Sequence, residues 1–599
     1  MRGIELLVRA LKSSGVNFCV LAQARGLEDF SRALSEQGIE FLSPISETAS
    51  TMIADGYSRA SGKPAIIITR GEVPKLITGI GSAWADKTPI ILISIIPDAN
   101  EKFSPAFSRP TPDFKELFQP VTRFQARISR AEEIPELLIR AYREAICFRG
   151  GPVFLELVES ALMEDFSFGP EQLQPMESKL KGAAEPTRSS ADPDRIEKAL
   201  EMLSSAKRPL IFSGGGVIRA RASAELNQLA EQMQIPMISS MGGMGSALPE
   251  NPMYIGPPSY LSGEAFHHAI KQADVVLAVG CVFSGLDGFG LPPVWSNSIR
   301  FIQINIDPEH IGFNPKAELS ILGDAQLILN QMLAQAKNYP VPRSRKSWIA
   351  KLQRLNQEHR QRIIDEASRD WEKIHPASLV LEMSKFLKEM PDFYVVLDGG
   401  NTCLWAGILV DLPGPGRGFF PTGMGTLGSG IPMAIGVKKA VGNARVILVS
   451  GDGSFLYNLQ ELETLRKYQI PILVIIFNDS AWNMIRAGQV SFIGEVYGTD
   501  LPEADYGKAA RSFGCFGAKV KEKSGIEKAI RDALDSGLPA VIDVEIDPDS
   551  IPDSLISFAL VEFEGAPMGI TGTLKSIISG KQKLDLRLWN QVKYIFKIS

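Results

Sequence analysis

Short runs of Val, Ile and Leu recur along the chain, separated by longer stretches in which apolar residues return every three or four positions. Such runs predict buried strands and the stretches between them amphipathic helices. The strand runs are "NFCVLA", "PAIIIT", "PIILISII" and "PVFLEL" in a first region, "RPLIFSGGG", "ADVVLAVG" and "IRFIQINID" in a second, and "FYVVLDGGN", "ARVILVSGDG", "IPILVIIFND" and "PAVIDVEID" in a third. Strands that alternate with helices predict parallel sheets covered on both faces. The expected fold is therefore α/β, with three doubly wound parallel-sheet domains. A chain of 599 residues is too long for one core. The expected division is a first domain over 1–165, a central one over 191–337 and a third over 376–548. Polar or Pro-rich linkers cover 166–190 and 338–375, and an extension covers 549–599. The first and third regions share size and rhythm, which leaves open a duplicated unit.

Composition narrows the function. The net charge of −5 predicts no general affinity for nucleic acid or anionic membrane. The five cysteines are scattered without a CxxC pair, which argues against a disulfide framework or zinc knuckle and predicts a cytoplasmic protein. The N-terminal "MRGIELLVRALKSSGVNF" reads as an amphipathic helix, not a signal peptide, and no apolar run reaches the length of a membrane span.

One stretch carries chemistry: "VILVSGDGSFLYNLQELETLRKYQIPILVIIFND". It reads as strand, helix, strand, the helix presenting Phe455, Leu459 and Leu462 on one face. Two parallel strands joined by a crossover end on the same sheet edge. Asp452 and Asn478 therefore both lie where open α/β sheets bind ligands. A carboxylate and an amide oxygen form a hard donor set suited to Mg²⁺ completed by phosphate and water. Gly451 and Gly453 let backbone approach a diphosphate. A plain strand-to-helix turn with Asp452 as cap explains a lone GDG equally well; Asn478 weighs against that reading.

The spacing resembles the thiamine-diphosphate motif, GDG followed some 25 residues later by Asn. "SETASTMIADGYSRASGKPAIIIT", "AKRPLIFSGGGVIRARASAELNQLAEQMQIPMISS", "INIDPEHIG" and "PTGMGTLGSGIPMAIGVKKA" are similar to further segments of the same family, in unbroken order over residues 1 to 548. The chain is identified as a member of the acetohydroxyacid (acetolactate) synthase-like thiamine-diphosphate enzymes.

The resemblance implies pyrimidine-binding, central and diphosphate-binding domains in that order. It implies that Asp452, Asn478 and the backbone carbonyl of Ser480 bind Mg²⁺. Gly453, Ser454 and the run Ser480, Ala481, Trp482 and Asn483 would touch the diphosphate, with Asn401 and Thr402 facing its other side. Gly425, Thr426 and Leu427 would cradle the rings, Leu427 as the apolar wedge that bends the cofactor. Glu47 would pair with the aminopyrimidine and share a proton with it, the catalytic role. The active unit implied is a homodimer or homotetramer with each site between subunits. The substrate class implied is a 2-ketoacid, decarboxylated and ligated to an acceptor. A 2-hydroxyacyl-CoA lyase or oxalyl-CoA decarboxylase-like activity on a CoA thioester is the alternative, and a cofactor-binding regulatory subunit without catalysis a third.

Several positions depart from the synthase pattern. "RGEVPKL" replaces SGPGATN, Ser46 replaces a frequent His, "AQARG" replaces a GxPG turn, and Arg109-Pro110 stand for Phe-Gln. Gly488 stands where a Trp selects the second ketoacid, so a substrate larger than, or placed differently from, pyruvate plus 2-ketobutyrate is expected. All five histidines lie in the central region or second linker, which counts against a decarboxylase that uses active-site histidines. His267 and His268 are expected on a helix surface, since adjacent residues diverge by about 100°. The central domain is left open between FAD, a CoA or ADP group, and nothing: "SGGG" is a weak nucleotide signal, "PPSYLSG" replaces GMHG and Val282 replaces an Arg. In the C-terminal extension, Leu588, Trp589, Val592, Ile595 and Phe596 share one helical face, expected as a lid or arm.

Overall fold

The computed structural model describes residues 1–22, 26–70, 73–98, 114–165, 170–390, 392–492 and 495–552, with backbone only at 170–173 and 491–492. The extension beyond 552, Gly71-Glu72, Arg109-Pro110 and most of "AQARG" lie outside these residues.

The strands are β1 (Phe18–Leu21), β2 (Glu40–Leu42), β3 (Ala65–Arg70), β4 (Ile90–Ile96), β5 (Phe124–Ile128), β6 (Val153–Val158), β7 (Pro209–Ser213), β8 (Met237–Ser239), β9 (Val275–Val279), β10 (Arg300–Asn305), β11 (Ala317–Leu322), β12 (Phe393–Leu397), β13 (Gly418–Phe419), β14 (Arg445–Gly451), β15 (Leu473–Asn478), β16 (Phe516–Val520) and β17 (Ala540–Glu545). They form three parallel sheets, ordered β2-β1-β3-β4-β6-β5, β11-β10-β9-β7-β8 and β13-β12-β14-β15-β17-β16. The expected α/β class with three parallel sheets is borne out. The first and third sheets share one strand order, 2-1-3-4-6-5 when each is numbered from its own first strand.

Every strand predicted from the apolar pattern is an interior strand, and the six strands it missed are the six sheet edges. The cause is burial. Interior β4 is buried at every position, whereas edge β16 is buried only at its last residue and β11 alternates. A strand covered on both faces must be apolar throughout, and an edge strand need not be.

Helices differ from expectation in three places. Residues 454–468 form not one helix but two, Asp452–Leu456 and Glu461–Lys467. The buried side chain of Asn458 sits in the break and donates to the Gly428 carbonyl at 2.6 Å. The expected linker 166–190 contains a helix, Pro170–Ala183, whose Met176, Leu180 and Ala183 join the core of the first sheet. His267, expected on a surface, is buried in the helix Glu264–Gln272, and burial pushes its imidazole down to about 4.

The first and third domains pack through the helices Glu47–Ser61 and Gly430–Val441, which run antiparallel. A Cβ on Gly56 would lie 2.2 Å from the Met433 carbonyl oxygen, and one on Gly436 would lie 1.9 Å from that of Ile53. Glycine at these two positions lets the backbones touch. At the far end Arg59 pairs with Asp55 and Asp86 and donates to the Phe420 carbonyl. No helix among the described residues is long and apolar enough to cross a membrane.

Candidate active site

Strands β12, β14 and β15 lie side by side, with Leu397 level with Val449 and Gly451 level with Phe477. Their carboxyl ends deliver Asp398, Asp452 and Asn478 to one edge. Chain order reverses between β12 and β14, and such a reversal opens the crevice where α/β sheets take ligands.

Asp452 is 2 % exposed. Its Oδ1 accepts from the Gly453 N–H at 2.9 Å, and its Oδ2 is buried with no hydrogen-bond partner among the described residues. Burial and the neighbouring carboxylate of Asp479 both push its carboxyl upward. A buried oxygen without a donor and two carboxylates in mutual repulsion are costly in a protein interior, and a bound cation relieves both.

Asn478 is equally buried. Its Nδ2 donates to Asp543 Oδ1 at 2.9 Å and to the Ala504 carbonyl at 3.3 Å. This fixes the amide with Oδ1 toward Ser480, whose N–H and hydroxyl both lie at 3.3 Å. Ser480 holds φ of 55°, a left-handed conformation uncommon outside glycine. Its carbonyl, the expected third metal ligand, accepts from the Leu501 N–H at 2.7 Å and keeps one lone pair for another partner. The set of Asp452 and Asn478 oxygens fits a hard cation such as Mg²⁺.

The other expected residues gather round this edge. A Cβ on Gly453 would strike the Trp482 ring at 2.6 Å, so this glycine makes room for the indole. Ser454 Oγ donates to the Gly399 carbonyl at 3.0 Å, and Thr402 Oγ1 lies beside Gly451. Asn401 Oδ1 and Asn483 Oδ1 are further buried oxygens without a partner among the described residues. Ala481 donates its N–H to Asp479 Oδ1. Leu427 and the Gly425 carbonyl press against Gly399; Thr426 lies between them.

Sequence reasoning missed the residues that hold these pieces in place. Asp398 is 1 % exposed and accepts from the N–H groups of Gly399, Gly428 and Gly430 and from Ser450 Oγ. It thereby ties the loop of Gly425 to Leu427 to the end of β12. Burial pushes its carboxyl up to about 6 despite these donors. Asp479 accepts from Asn483 Nδ2, and Asp543 orients Asn478. A signal existed for two of them: Asp398 ends an apolar strand run, and Asp543 interrupts one.

Glu47 makes no direct polar contact with this edge among the described residues. Its carboxylate, a quarter exposed, pairs with Lys75 Nζ at 3.3 Å and makes no hydrogen bond or ion pair to the residues after β12, β14 or β15 among those described. The helix it begins lacks a side-chain cap at Ser46. Instead Glu461 accepts from the N–H groups of Ile45 and Ser46. Arg70, at the start of the altered loop, is engaged by Glu159 at 2.6 Å. Gly488 has open space where a side chain would stand. In the central domain a Cβ on Gly214 or Gly216 would strike Gly280, so backbone packing between the loops after β7 and β9 accounts for these glycines.

Three family models match the chain: Thiamine pyrophosphate enzyme, N-terminal TPP binding domain, over residues 1–116; its central domain over 196–332; and its C-terminal TPP binding domain over 398–544. The fold and the matched domains define a thiamine-diphosphate-dependent enzyme. Among similar proteins, a probable acetolactate synthase large subunit of Methanocaldococcus jannaschii is 30% identical over 558 residues, covering 92% of each chain. The acetolactate synthase large subunit of Buchnera aphidicola subsp. Schizaphis graminum is 29% identical, covering 91% of this chain and 95% of that one. The acetolactate synthase isozyme 2 large subunit of Escherichia coli is 28% identical, covering 91% and 96%. The chain belongs to the thiamine pyrophosphate enzymes and is acetolactate synthase-like.

Proposed function

We propose that this chain carries out acetolactate synthase-like carboligation: a 2-ketoacid is decarboxylated and the fragment is joined to an acceptor carbonyl compound. Thiamine diphosphate, when bound, supplies the nucleophilic carbon and the electron sink. Asp452 and Asn478 hold Mg²⁺, with the Ser480 carbonyl as third ligand. Gly453, Ser454 and the run Ser480 to Asn483 hold the diphosphate, with Asn401 and Thr402 across from them. Gly425, Thr426 and Leu427 shape the ring pocket, Leu427 as the wedge. Glu47 holds and returns a proton at the pyrimidine ring. Glu47 has no polar contact with the metal edge of its own chain among the described residues; a second copy lends the glutamate, and the working unit is a homodimer or homotetramer.

The observation that carries this reading is Asp452 Oδ2: buried, without a donor, at the same sheet edge as Asn478. The same edge would serve a lyase of 2-hydroxyacyl-CoA type or a silent subunit; the acetolactate synthase relatives favour carboligation over both. The central domain stays open between FAD, a CoA or ADP group, and nothing, the packing of its glycines favouring none of them; a visible absorbance spectrum of the purified protein tests for FAD. Five free cysteines, four of them buried, support a reducing, cytoplasmic setting.

The test is binding of Mg²⁺ and thiamine diphosphate together with hydrogen–deuterium exchange at C2 of the bound cofactor. Exchange faster than in free solution, slowed by Glu47→Gln with binding retained, is expected. Bound cofactor that exchanges no faster than free cofactor would sink the reading.

A further inference from the structure

We infer that Glu461 is a positioning residue for Glu47, so that the segment beginning at one site's metal anchor sets the pose of the glutamate which the same chain lends to another site. This rests on the two-chain site proposed above.

Glu461 is fully buried, and each of its oxygens has donors. Oε1 accepts from the Ser46 N–H at 2.9 Å; Oε2 accepts from the Ile45 N–H at 3.3 Å and from Thr464 Oγ1 at 2.6 Å. Two of these donors belong to the first domain and lie 415 and 416 residues away in sequence. They are the backbone amides just before Glu47, and one of them is the helix N-cap. A helix start with no side-chain cap of its own leaves its first N–H groups to other acceptors. Here a carboxylate from the third domain grips the approach to the helix. Tyr468, the C-cap of the same helix, adds a second hold: its phenol oxygen accepts from the Ser43 N–H at 2.8 Å.

The other end of the segment is Asp452. Between the two stands Asn458, 5 % exposed, whose Nδ2 reaches both the Gly428 carbonyl and Met52 Sδ of the Glu47 helix. The Glu461 N–H in turn donates to the Asn458 carbonyl at 3.0 Å. Ten residues, Asp452 to Glu461, thus run from the metal anchor, past the loop of Gly425 to Leu427, to the amides that precede Glu47. The Asn458 contacts and the Thr464 bond are buried, and the bonds to Ile45 and Ser46 are partly buried around a carboxylate with no exposed surface, where the loss of one partner is expensive. A neutral amide at position 461 keeps one acceptor oxygen and turns a donor toward an N–H, so Glu461→Gln breaks one hold without emptying the volume.

The experiment uses the full chain with Mg²⁺ and thiamine diphosphate. Amide exchange of residues 43–48 is followed by mass spectrometry in wild type and Glu461→Gln, alongside cofactor affinity, C2 exchange, kcat and KM. Expected in Glu461→Gln are amide exchange about tenfold faster in this segment and C2 exchange and kcat about tenfold lower, with cofactor affinity and KM unchanged. Equal amide protection in the two proteins overturns the inference, as does lost protection with undiminished C2 exchange. If Glu461→Gln does not fold, Thr464→Val, which removes the hydroxyl donor to Oε2, is read in the same way with smaller changes. Wild-type C2 exchange no faster than in free solution would instead overturn the proposed function, and the amide measurement, which needs no turnover, would still decide whether Glu461 holds the approach to Glu47.

Discussion

Asn478 Nδ2 donates to Asp543 Oδ1 at 2.9 Å, and this bond, with the one to the Ala504 carbonyl, turns the amide oxygen toward Ser480. Asp543 has no exposed surface, lies inside β17, and gives its second oxygen to the Tyr506 N–H at 2.9 Å. Asp543→Ala leaves two buried donors without that acceptor. The expected loss is about 1–3 kcal/mol of stability and about 10–100-fold in Mg²⁺ affinity. Thermal unfolding and a Mg²⁺ titration of cofactor binding check the two effects separately. A Mg²⁺ dependence unchanged from wild type would show that the amide oxygen is not a ligand.

The helix pair at Gly56 and Gly436 makes a prediction about packing. Gly436→Ala places a methyl group against the Ile53 carbonyl, and backbone on both sides must part. Overpacking of this kind costs about 1–3 kcal/mol. Gly488→Ala, in a helix with open space around the new methyl, is the control and gains about 0.5–1 kcal/mol. Equal melting temperatures for the two variants would contradict the close crossing.

Asp398 gives a pH dependence. Its carboxyl is raised from 3.8 to about 6 in the fold. The unfolded chain therefore ionises this group first, and stability falls as pH rises from about 4 to about 6, by up to about 3 kcal/mol. Other carboxylates titrate over the same range, so the comparison is with Asp398→Asn. The stability of wild type relative to that variant should decline across this interval and level off above it. A difference that does not change with pH would show that the buried carboxyl is not perturbed.

The open space at Gly488 predicts substrate range. Under the proposed function, Gly488→Trp fills a volume beside the diphosphate helix Asn483–Phe492 and should lower kcat/KM for bulky acceptors more than for small ones. A panel of 2-ketoacids read by product mass spectrometry checks this. A uniform loss across the panel would place acceptor selection elsewhere.

Much of this architecture was legible because burial writes itself into sequence. Interior strands such as β4 and β15 are buried at every position and apolar at all but one, and each was found. Edge strands such as β16 were not, because half-exposed positions admit any residue. Asp452 and Asn478 were found together because strand ends impose a fixed spacing. The helix Pro170–Ala183 was hidden by its polar face, although Met176, Leu180 and Ala183 recur at helical spacing. The hold of Glu461 on Ile45 and Ser46 could not be seen, since no local rule relates residues more than four hundred positions apart. Nor could the break at Asn458, whose cause is a distant carbonyl at Gly428.

The shared strand order of the first and third sheets has a historical meaning. Two units of one topology, locked by antiparallel helices that each follow the second strand of their own sheet, have the form of an ancestral dimer written into a single gene. Such a fusion frees the copies to specialise. One unit carries an acid at the head of its helix, Glu47; the other carries Gly425, Thr426 and Leu427 before the corresponding helix, with Asp452 and Asn478 beside them. Their sequences agree only in size and rhythm, and the shared strand order is the feature a duplication would leave behind.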